Sequence, residues 1–387
     1  MSMKLSDLLE ACPQVRLSLE AGREGTERAI GWVHVLESPA MTGYLHGGEM
    51  VLATGCLFEG PGDVLAYVKQ LHAQGAGAVA LDVGNFIPEI PAEVIRFCDD
   101  HGFPLFSIPK DEAFERVAQP LCNCIVKENE KNHQISTALK NAIFFHDRHD
   151  LYLVQLSELH FETEWRYAIC AVELFDTAGD PYARTEGVAD TLRAALHRRV
   201  PTSAVIVSDR EILAVIHCES ESELGDIAAR IKALVERQLQ RGERMTIGVG
   251  KLTRSLRCLY KSYHQAKAIM RIQEKRSMLD AGYVYADMGA YRLLLGIEDR
   301  EIADDYLKTI LGPLIEYDKL KGTELVAMLR AYLFNNGSVQ DTAAEMYVHR
   351  NTVNYRINRA ADVLGMDLGS LDVRLQLMLC FLLQDMQ

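Results

Sequence analysis

The sequence has no long apolar run, no excess of basic charge and no pattern of paired cysteines. No apolar stretch approaches the roughly 18 residues of a membrane-spanning helix, and no basic segment followed by an apolar one opens the chain. Nine cysteines are scattered over 387 residues, an odd number that argues against a disulfide framework. Cys122 and Cys124 have no second pair that could complete a metal site. We therefore predict a soluble, cytoplasmic protein with no membrane partner, no metal and no cofactor.

The charge balance argues mildly against nucleic-acid binding. The formal net charge is −13, whereas contacts to DNA phosphates need clustered Lys and Arg. A chain of 387 residues can form two or three domains, and 48% hydrophobic with 25% charged residues is typical of globular proteins. If the protein binds DNA, we expect a monomer to bind weakly and a homodimer or higher homo-oligomer to be needed.

A C-terminal stretch has the pattern of a helix-turn-helix. Ser338 is placed to cap a short helix, and a second helix is predicted from near His349. Its apolar residues recur at helical spacing on one side, at Val353, Ile357, Ala360 and Leu364. The opposite side carries Asn351, Asn354, Tyr355 and Asn358, with Arg350, Arg356 and Arg359 at its flanks. An ordinary solvated amphipathic helix is the alternative.

Arg and Asn are the residue types that form paired hydrogen bonds with guanine and adenine in the major groove. We predict that base edges are contacted by Arg350, Asn351, Asn354 and Tyr355. We predict that phosphates are contacted by Thr352, Arg356 and Arg359, with Asn358 on the same face. The expected partner is a double-stranded DNA operator.

The same region resembles the C-terminal domain of the PucR family of bacterial transcriptional regulators. The matching residues include Leu311-Gly312-Pro313-Leu314, Thr342-Ala343-Ala344, His349-Arg350-Asn351-Thr352-Val353 and Tyr355-Arg356. The resemblance implies a transcriptional regulator of catabolic genes, more often an activator.

Residues 1–110 alternate predicted strands and helices, which indicates an α/β domain with at least part of its sheet parallel. We expect strands near Val15–Leu19, Trp32–Leu36, Glu49–Ala53, Ala78–Leu81 and Pro104–Ile108. Ligands of such sheets bind beyond the carboxyl ends of strands. The candidate ligand-binding residues are His34, Glu37, Ser38, Glu49, Thr54 and Gly55. The alternative is that the glycines only form turns and that His34 is structural.

This segment is also similar to the PucR N-terminal domain, through Gly31-Trp32-Val33-His34-Val35-Leu36-Glu37 and Gly47-Gly48-Glu49-Met50-Val51-Leu52-Ala53-Thr54-Gly55. The resemblance implies a sensory domain for a small-molecule effector, associated in the family with nitrogen and purine catabolism.

A helical connector is predicted over 111–160, with a kink or break at Pro120. Over 161–277 the element order βαββαβ resembles nucleotide cyclases and diguanylate cyclases. The hairpin at 207–211 has no paired glycines to admit a nucleotide, and Glu173 and Asp176 are the only acids on the first strand. Two-metal catalysis needs carboxylates that converge from both places. We therefore predict a degenerate domain without catalytic residues.

The remaining segments are a helical linker over 278–319 and a helix-turn-helix domain over 320–387, whose last helix, Val373–Leu383, is apolar on nearly every side and is expected to be buried. The predicted fold is thus multidomain, with an α/β sensory domain, a degenerate cyclase-like domain and an all-α DNA-binding domain. A nucleotide cyclase that uses Glu173 and Asp176 and a scaffold that binds only proteins are the alternative functions.

Overall fold

The computed structural model describes residues 3–176, 179–197, 200, 202–275, 282–297 and 299–386. The chain divides into two compact units, Met1–Thr137 and Ala138–Gln387. The first has the expected α/β fold, and the second joins an α/β sheet to a run of helices, as the fold class predicted. The domain boundary expected between 277 and 278 lies outside the described residues.

The first unit is built on a five-stranded sheet. Its strands and helices, in chain order, are β1 (Met3–Lys4), α1 (Leu5–Ala11), β2 (Ser18–Ala21), β3 (Ala29–Ile30), β4 (Trp32–Val35), β5 (Glu49–Ala53), α2 (Pro61–Ala73), β6 (Ala78–Val83), α3 (Ala92–Asp100), β7 (Leu105–Pro109) and α4 (Phe114–Phe144). The sheet order is β2-β7-β6-β5-β4, and β1 pairs with β3. Strands β4 to β7 are parallel and β2 is antiparallel to β7, so the mixed sheet is confirmed.

Both faces of this sheet are covered, which explains why residues 50–53 of β5 and 78–81 of β6 are all apolar. Along β5, Val51 packs on the face covered by α2 and α3, while Met50 packs on the face covered by α1 and α4. The predicted strand at Val15–Leu19 begins instead at Ser18, because Val15 and Leu17 pack against the core beside α1 before pairing starts.

Helix α4 runs without a break through Pro120, so of the kink or break expected there the break is wrong. Proline removes a single backbone donor, and Pro120 lies near the start of a helix of 31 residues, where the loss of one hydrogen bond is outweighed by packing. Val117, Leu121 and Ile125 are all fully buried against the sheet.

The second unit begins with a four-stranded antiparallel sheet in the order β11-β8-β10-β9. Its elements are α5 (Leu153–Glu158), β8 (Tyr167–Phe175), α6 (Pro181–His197), β9 (Ala204–Ser208), β10 (Glu211–His217), α7 (Glu221–Gln238), β11 (Arg244–Val249) and α8 (Leu259–Lys275). The predicted βαββαβ order is confirmed. Gly248 and Gly250 let α8 pack closely on β11, since a Cβ atom at either glycine would lie about 2 Å from a carbonyl oxygen of α8.

The C-terminal part is all helical. Its helices are α9 (Tyr291–Leu294), α10 (Arg300–Ile310), α11 (Gly312–Lys321), α12 (Leu325–Phe334), α13 (Val339–Glu345), α14 (Arg350–Leu364) and α15 (Leu371–Met386). The burial expected for the last helix is confirmed at Leu377 and Phe381, which pack against α12 and α14. Within the predicted range Leu375 differs, because it is 56% exposed. None of the described helices combines the length and apolar composition needed to cross a membrane.

Candidate nucleic-acid interface

Capping interactions fix both helices of the candidate helix-turn-helix. The Ser338 hydroxyl accepts a hydrogen bond from the Asp341 backbone N–H at 3.2 Å, so the predicted cap of α13 is confirmed. Thr342 is buried, and its hydroxyl donates to the Ser338 carbonyl at 2.7 Å. At the start of α14, Nδ1 of His349 accepts from the Asn351 N–H at 3.3 Å. The orientation of α14 is therefore defined at its N-terminal end.

The apolar side of α14 is anchored in a core. Val353, Ile357 and Ala360 are buried, as the helical spacing predicted. They pack in one cluster with Met328 and Leu329 of α12, both fully buried. Rotation of α14 about its axis would expose these residues, so the opposite side of the helix is held toward solvent.

The polar side of α14 is accessible. Its exposed side chains are Arg350, Asn351, Asn354, Tyr355, Asn358 and Arg359, while Thr352 and Arg356 are half-buried. The ring of Tyr355 is 71% exposed. Within the described part of the chain, no hydrogen bond or ion pair engages the side chains of Arg350, Asn354 and Asn358. Their donors and acceptors are available to a ligand.

Two of the three flanking arginines, Arg356 and Arg359, contact residues of the protein at the edge of this face. Both Nε and Nη2 of Arg359 donate to the Tyr317 hydroxyl, at 3.1 and 3.0 Å, and its guanidinium lies 5.3 Å from the centre of that ring. Nη1 of Arg356 lies 3.8 Å from the Glu324 carboxylate, an exposed partner. These contacts place positive charge beside the polar face, with α11 contributing a residue that the sequence did not indicate.

The turn between α13 and α14 holds a second residue that the sequence analysis missed. Tyr347 is 95% exposed and has a positive φ of 52°. The residue type did not indicate this conformation, because tyrosine is not typical of turns and rarely adopts the left-handed region.

In the first unit, the structure brings together several of the predicted ligand-binding residues. Glu37 follows β4 and Thr54 follows β5, at the carboxyl ends of neighbouring parallel strands. The Glu37 carboxylate accepts from the Thr54 N–H at 3.0 Å and from the Thr54 hydroxyl at 2.7 Å. Ser38 is adjacent, and its hydroxyl accepts from the Ala40 N–H at 3.3 Å. Gly55 has φ +76° and packs against Ile87, where a Cβ atom would lie 2.6 Å from that side chain.

Two predicted ligand-binding residues lie elsewhere. Glu49 begins β5, at the opposite end of the strand from Thr54, and is buried. Its carboxylate accepts from the N–H groups of His46 and Gly47, both at 2.8 Å, so it shapes the Gly47-Gly48 turn instead of joining Glu37. His34 is half-buried within β4, beside Val51 of β5.

The middle module, which comprises the elements from β8 to α8, brings two carboxylates together. Both carboxylates contact the side-chain ammonium of Lys267. Glu173 of β8 and Glu211 of β10 are register partners. Nζ of Lys267 from α8 contacts the carboxylates of both, at 3.4 Å from Glu173 and closer to Glu211. The Tyr263 hydroxyl donates to Glu211 at 3.1 Å, and burial together with this carboxylate raises the pKa of Tyr263. No group of three or more potential metal ligands occurs among the residues that the structure describes.

Asp176 is not on the first strand, contrary to the sequence interpretation. Strand β8 ends at Phe175, and Asp176 follows it with φ 58°, where its carboxylate pairs with Nε of Arg244 at 2.8 Å. Aspartate tolerates the left-handed region and thereby ends the strand. Glu173 and Asp176 are thus bound by separate cations of the protein, an arrangement that does not suit metal-dependent nucleotide chemistry.

The fold and the site define a multidomain helix-turn-helix protein, and comparisons with known proteins agree. Residues 7–125 match the Purine catabolism regulatory protein-like family, residues 147–272 match the GGDEF-like domain, and residues 325–383 match the PucR C-terminal helix-turn-helix domain. The three matches follow one another along the chain. The chain therefore contains a PucR-type N-terminal domain, a GGDEF-like domain and a PucR-type C-terminal helix-turn-helix domain.

Three curated relatives, from Bacillus subtilis and Escherichia coli, illustrate the similarity. The proline-responsive transcriptional activator PutR of Bacillus subtilis is 28% identical over 66% of this chain and 63% of its own length. The purine catabolism regulatory protein of Bacillus subtilis is 24% identical over 28% of this chain and 20% of its length. The carbohydrate diacid regulator of Escherichia coli is 27% identical over 39% of each chain. The matched part of this chain therefore spans less than two thirds of each relative.

A solved regulator of polyketide synthase expression from Bifidobacterium adolescentis aligns with 65% of this chain and 97% of its own, at 15% identity. Its TM-score of 0.30 is too low to support an argument about fold or function.

Proposed function

We propose that this protein is a cytoplasmic transcriptional regulator that binds duplex operator DNA through α14. One observation carries the proposal: α14 is locked by its apolar side, while the side chains opposite are exposed and rich in the residue types that recognise bases. In the bound state Arg350, Asn351, Asn354 and Tyr355 contact base edges, and Asn358 lies on the same face. Thr352, Arg356 and Arg359 contact phosphates.

The proposal includes a homodimer or higher homo-oligomer. With a net charge of −13, the protein gains little from long-range attraction to DNA, so a single polar helix supports only weak binding. Two recognition helices related by a two-fold axis bind half-sites about 34 Å apart, or a multiple of that distance. Scrambling one half-site of a selected operator should then reduce affinity strongly.

Gel shifts with the full chain test DNA binding. Duplexes selected from a random library at low ionic strength should be retarded. The retardation should decline steeply with salt, because protein binding releases cations from the DNA and added salt opposes that release. Asn354→Ala should weaken binding to the selected duplex, whereas Asn123→Ala, on the exposed side of α4, should not. Absence of any retarded duplex would refute the proposal, and retention of partner proteins on α14 would favour the scaffold alternative.

The proposal also includes a small-molecule effector. The names of the relatives refer to a response to proline, to purine catabolism and to carbohydrate diacids, and each of these compound classes consists of small polar molecules. In this chain the candidate site is the carboxyl end of β4 and β5, where Glu37, Ser38 and Thr54 supply polar groups. We propose an activator of a catabolic operon, because the relative that matches 66% of this chain is named a transcriptional activator.

Thermal unfolding in the presence of proline, a purine base or a sugar diacid tests the effector. A true ligand should raise the unfolding temperature of the full chain, and Thr54→Val should reduce that rise. Ser157→Ala, at the end of α5, serves as the control for loss of a hydroxyl. If none of the three classes shifts the unfolding temperature, these candidate effectors are excluded. A shift that Thr54→Val leaves unchanged would place the ligand elsewhere.

A further inference from the structure

The turn before α14 contains a residue whose backbone conformation is unfavourable for its type. Tyr347 has φ 52°, in the left-handed region. For a bulky L-residue this region is strained, because Cβ lies too close to the following carbonyl oxygen. The other non-glycine residues with positive φ among those described are His160, Asp176, Asp209 and Asn336. All of these are residue types that adopt the region more readily.

The ending of α13 explains why the conformation is needed. The Val348 N–H donates to the Ala343 carbonyl at 3.0 Å, and the Tyr347 N–H donates toward the Ala344 carbonyl at 3.4 Å. This pair of bonds is a Schellman motif, in which the first residue beyond the C-cap is left-handed and is usually glycine. Val348 and Ala343 also belong to the same apolar cluster. Helix termination therefore sets the backbone of Tyr347.

Neighbouring helices end in the same conformation with other residue types. Gly322 follows α11 with φ 63°, Asn336 follows α12 with φ 54°, and Gly365 follows α14 with φ 65°. Three of these four helix ends thus carry a residue that tolerates the region. The fourth, beside the N-terminus of the candidate recognition helix, carries a tyrosine.

Packing does not account for the tyrosine. Its side chain is 95% exposed, so the ring gains almost nothing from the core of the folded monomer. A glycine here would form the same turn with less strain. Strained residues with such exposure are typical of sites where a bound molecule uses the side chain.

We propose that Tyr347 donates a hydrogen bond from its phenol hydroxyl to a DNA phosphate at the edge of the groove that α14 enters. The inference rests on the proposed DNA binding. In a helix-turn-helix the first helix crosses the DNA backbone and the second enters the major groove, so the turn lies beside phosphates. Tyr347 stands two residues before the N-cap His349, and tyrosine hydroxyls are among the donors that bind phosphates.

The test compares three variants of the full chain. Tyr347→Gly should fold at least as stably as the wild type, and its affinity for DNA should drop about tenfold, the effect of losing one hydrogen bond to a charged group. Tyr347→Phe keeps the ring and should show most of this loss. Asn336→Gly makes a matched backbone change at the end of α12 and should leave affinity unchanged.

The readouts are thermal unfolding and fluorescence anisotropy with a library-selected duplex and an unrelated duplex, over a range of salt. Loss of a phosphate contact should weaken binding to both duplexes. Because tyrosine is uncharged, the slope of log affinity against log salt should stay constant, whereas loss of an arginine-phosphate contact reduces its magnitude by about 1. If Tyr347 only supported the structure of the turn, its substitution would lower thermal stability and DNA affinity together.

Three outcomes would overturn the inference. If Tyr347→Gly and Tyr347→Phe both bind DNA with wild-type affinity, Tyr347 makes no hydrogen bond to a phosphate. Loss confined to the selected duplex assigns Tyr347 to a base edge, and a change in oligomeric state with unchanged DNA affinity assigns it to a second copy of the chain. If Tyr347→Gly is destabilised, Tyr347→Phe decides. Failure of the wild type and of Asn336→Gly to bind any duplex would instead refute the proposed function itself.

Discussion

Two groups of polar side chains in the second unit lead to opposite conclusions. In the middle module, Glu173 and Glu211 are bound to Lys267, and Glu211 also accepts from Tyr263. On α14, the side chains opposite the core are exposed, and those of Arg350, Asn354 and Asn358 have no hydrogen bond or ion pair among the described residues. The first group completes the fold, while the second is available to another molecule. Whether a side chain has a hydrogen-bond or ion-pair partner within the fold distinguishes the two groups more clearly than residue type does.

The largest expected effect is on the stability of the first group. Lys267→Met leaves two carboxylates facing each other at register positions of β8 and β10, and we expect it to lower the free energy of unfolding by about 3 kcal/mol. Adding Glu211→Gln should recover part of the loss. Urea unfolding measures both, with Asn358→Ala on α14 as the control that should change stability by less than about 0.5 kcal/mol. Equal stability of Lys267→Met and wild type would show that the cluster is not held by its charges.

The second prediction concerns the exposed group, where the effect should appear in binding. Arg350→Ala should weaken binding to a selected operator by about 1–3 kcal/mol and relax specificity at one base pair. Its urea unfolding should match the wild type because the side chain is exposed. Arg96→Ala, on the exposed side of α3, removes the same charge and should affect neither property. An unchanged footprint and affinity for Arg350→Ala would argue against the predicted recognition face.

A smaller effect on the stability of the fold is expected when the pH is lowered. Hydrogen bonds from Arg184, at 2.9 and 2.8 Å, hold the pKa of the buried Glu243 below its usual 4.5. A carboxylate whose pKa is lower in the folded state stabilises the fold above pH 4.5, and this contribution is lost as the pH falls through the lowered pKa.

Glu243→Gln should therefore make the stability of the middle module less dependent on pH below about 5. Glu324→Gln, at the exposed pair with Arg356, is the matched control and should leave the pH profile unchanged. Urea midpoints over this pH range provide the measurement. Parallel profiles for Glu243→Gln and wild type would contradict the assigned role of the buried pair.

Periodicity was sufficient to predict most of the fold. The spacing of Val353, Ile357 and Ala360 identified the buried side of α14, and the element order of the middle module followed from alternating strand and helix patterns. Local rules succeeded at α14 because this helix buries one side of its own sequence pattern. They did less well at β2, where pairing begins at Ser18 rather than at the first apolar residues.

Contacts between distant residues could not be predicted in this way. The pairing of Glu211 with Glu173 depends on the register of β10 and β8, and Lys267 comes from a helix 56 positions beyond Glu211. The contact of Arg359 with Tyr317 spans 42 positions. Glu37 and Glu49 are both candidate ligand-binding residues, although the direction of β5 places Glu49 at the opposite end of that strand from Thr54. Such relations depend on how strands and helices are arranged in space.

The last prediction is that the protein has no nucleotide cyclase activity. Glu173 and Glu211 do converge from the first strand and from the strand after the hairpin, which is the arrangement that a metal site would need. The Lys267 ammonium nevertheless contacts both carboxylates, so a Mg²⁺ ion would have to displace a cation that belongs to the fold. Purified protein incubated with Mg²⁺ and nucleoside triphosphates should give no cyclic product, and Glu173→Gln should behave identically. Product formation that Glu173→Gln abolishes would show that the middle module is catalytic, and the two groups of polar residues would then both act on ligands.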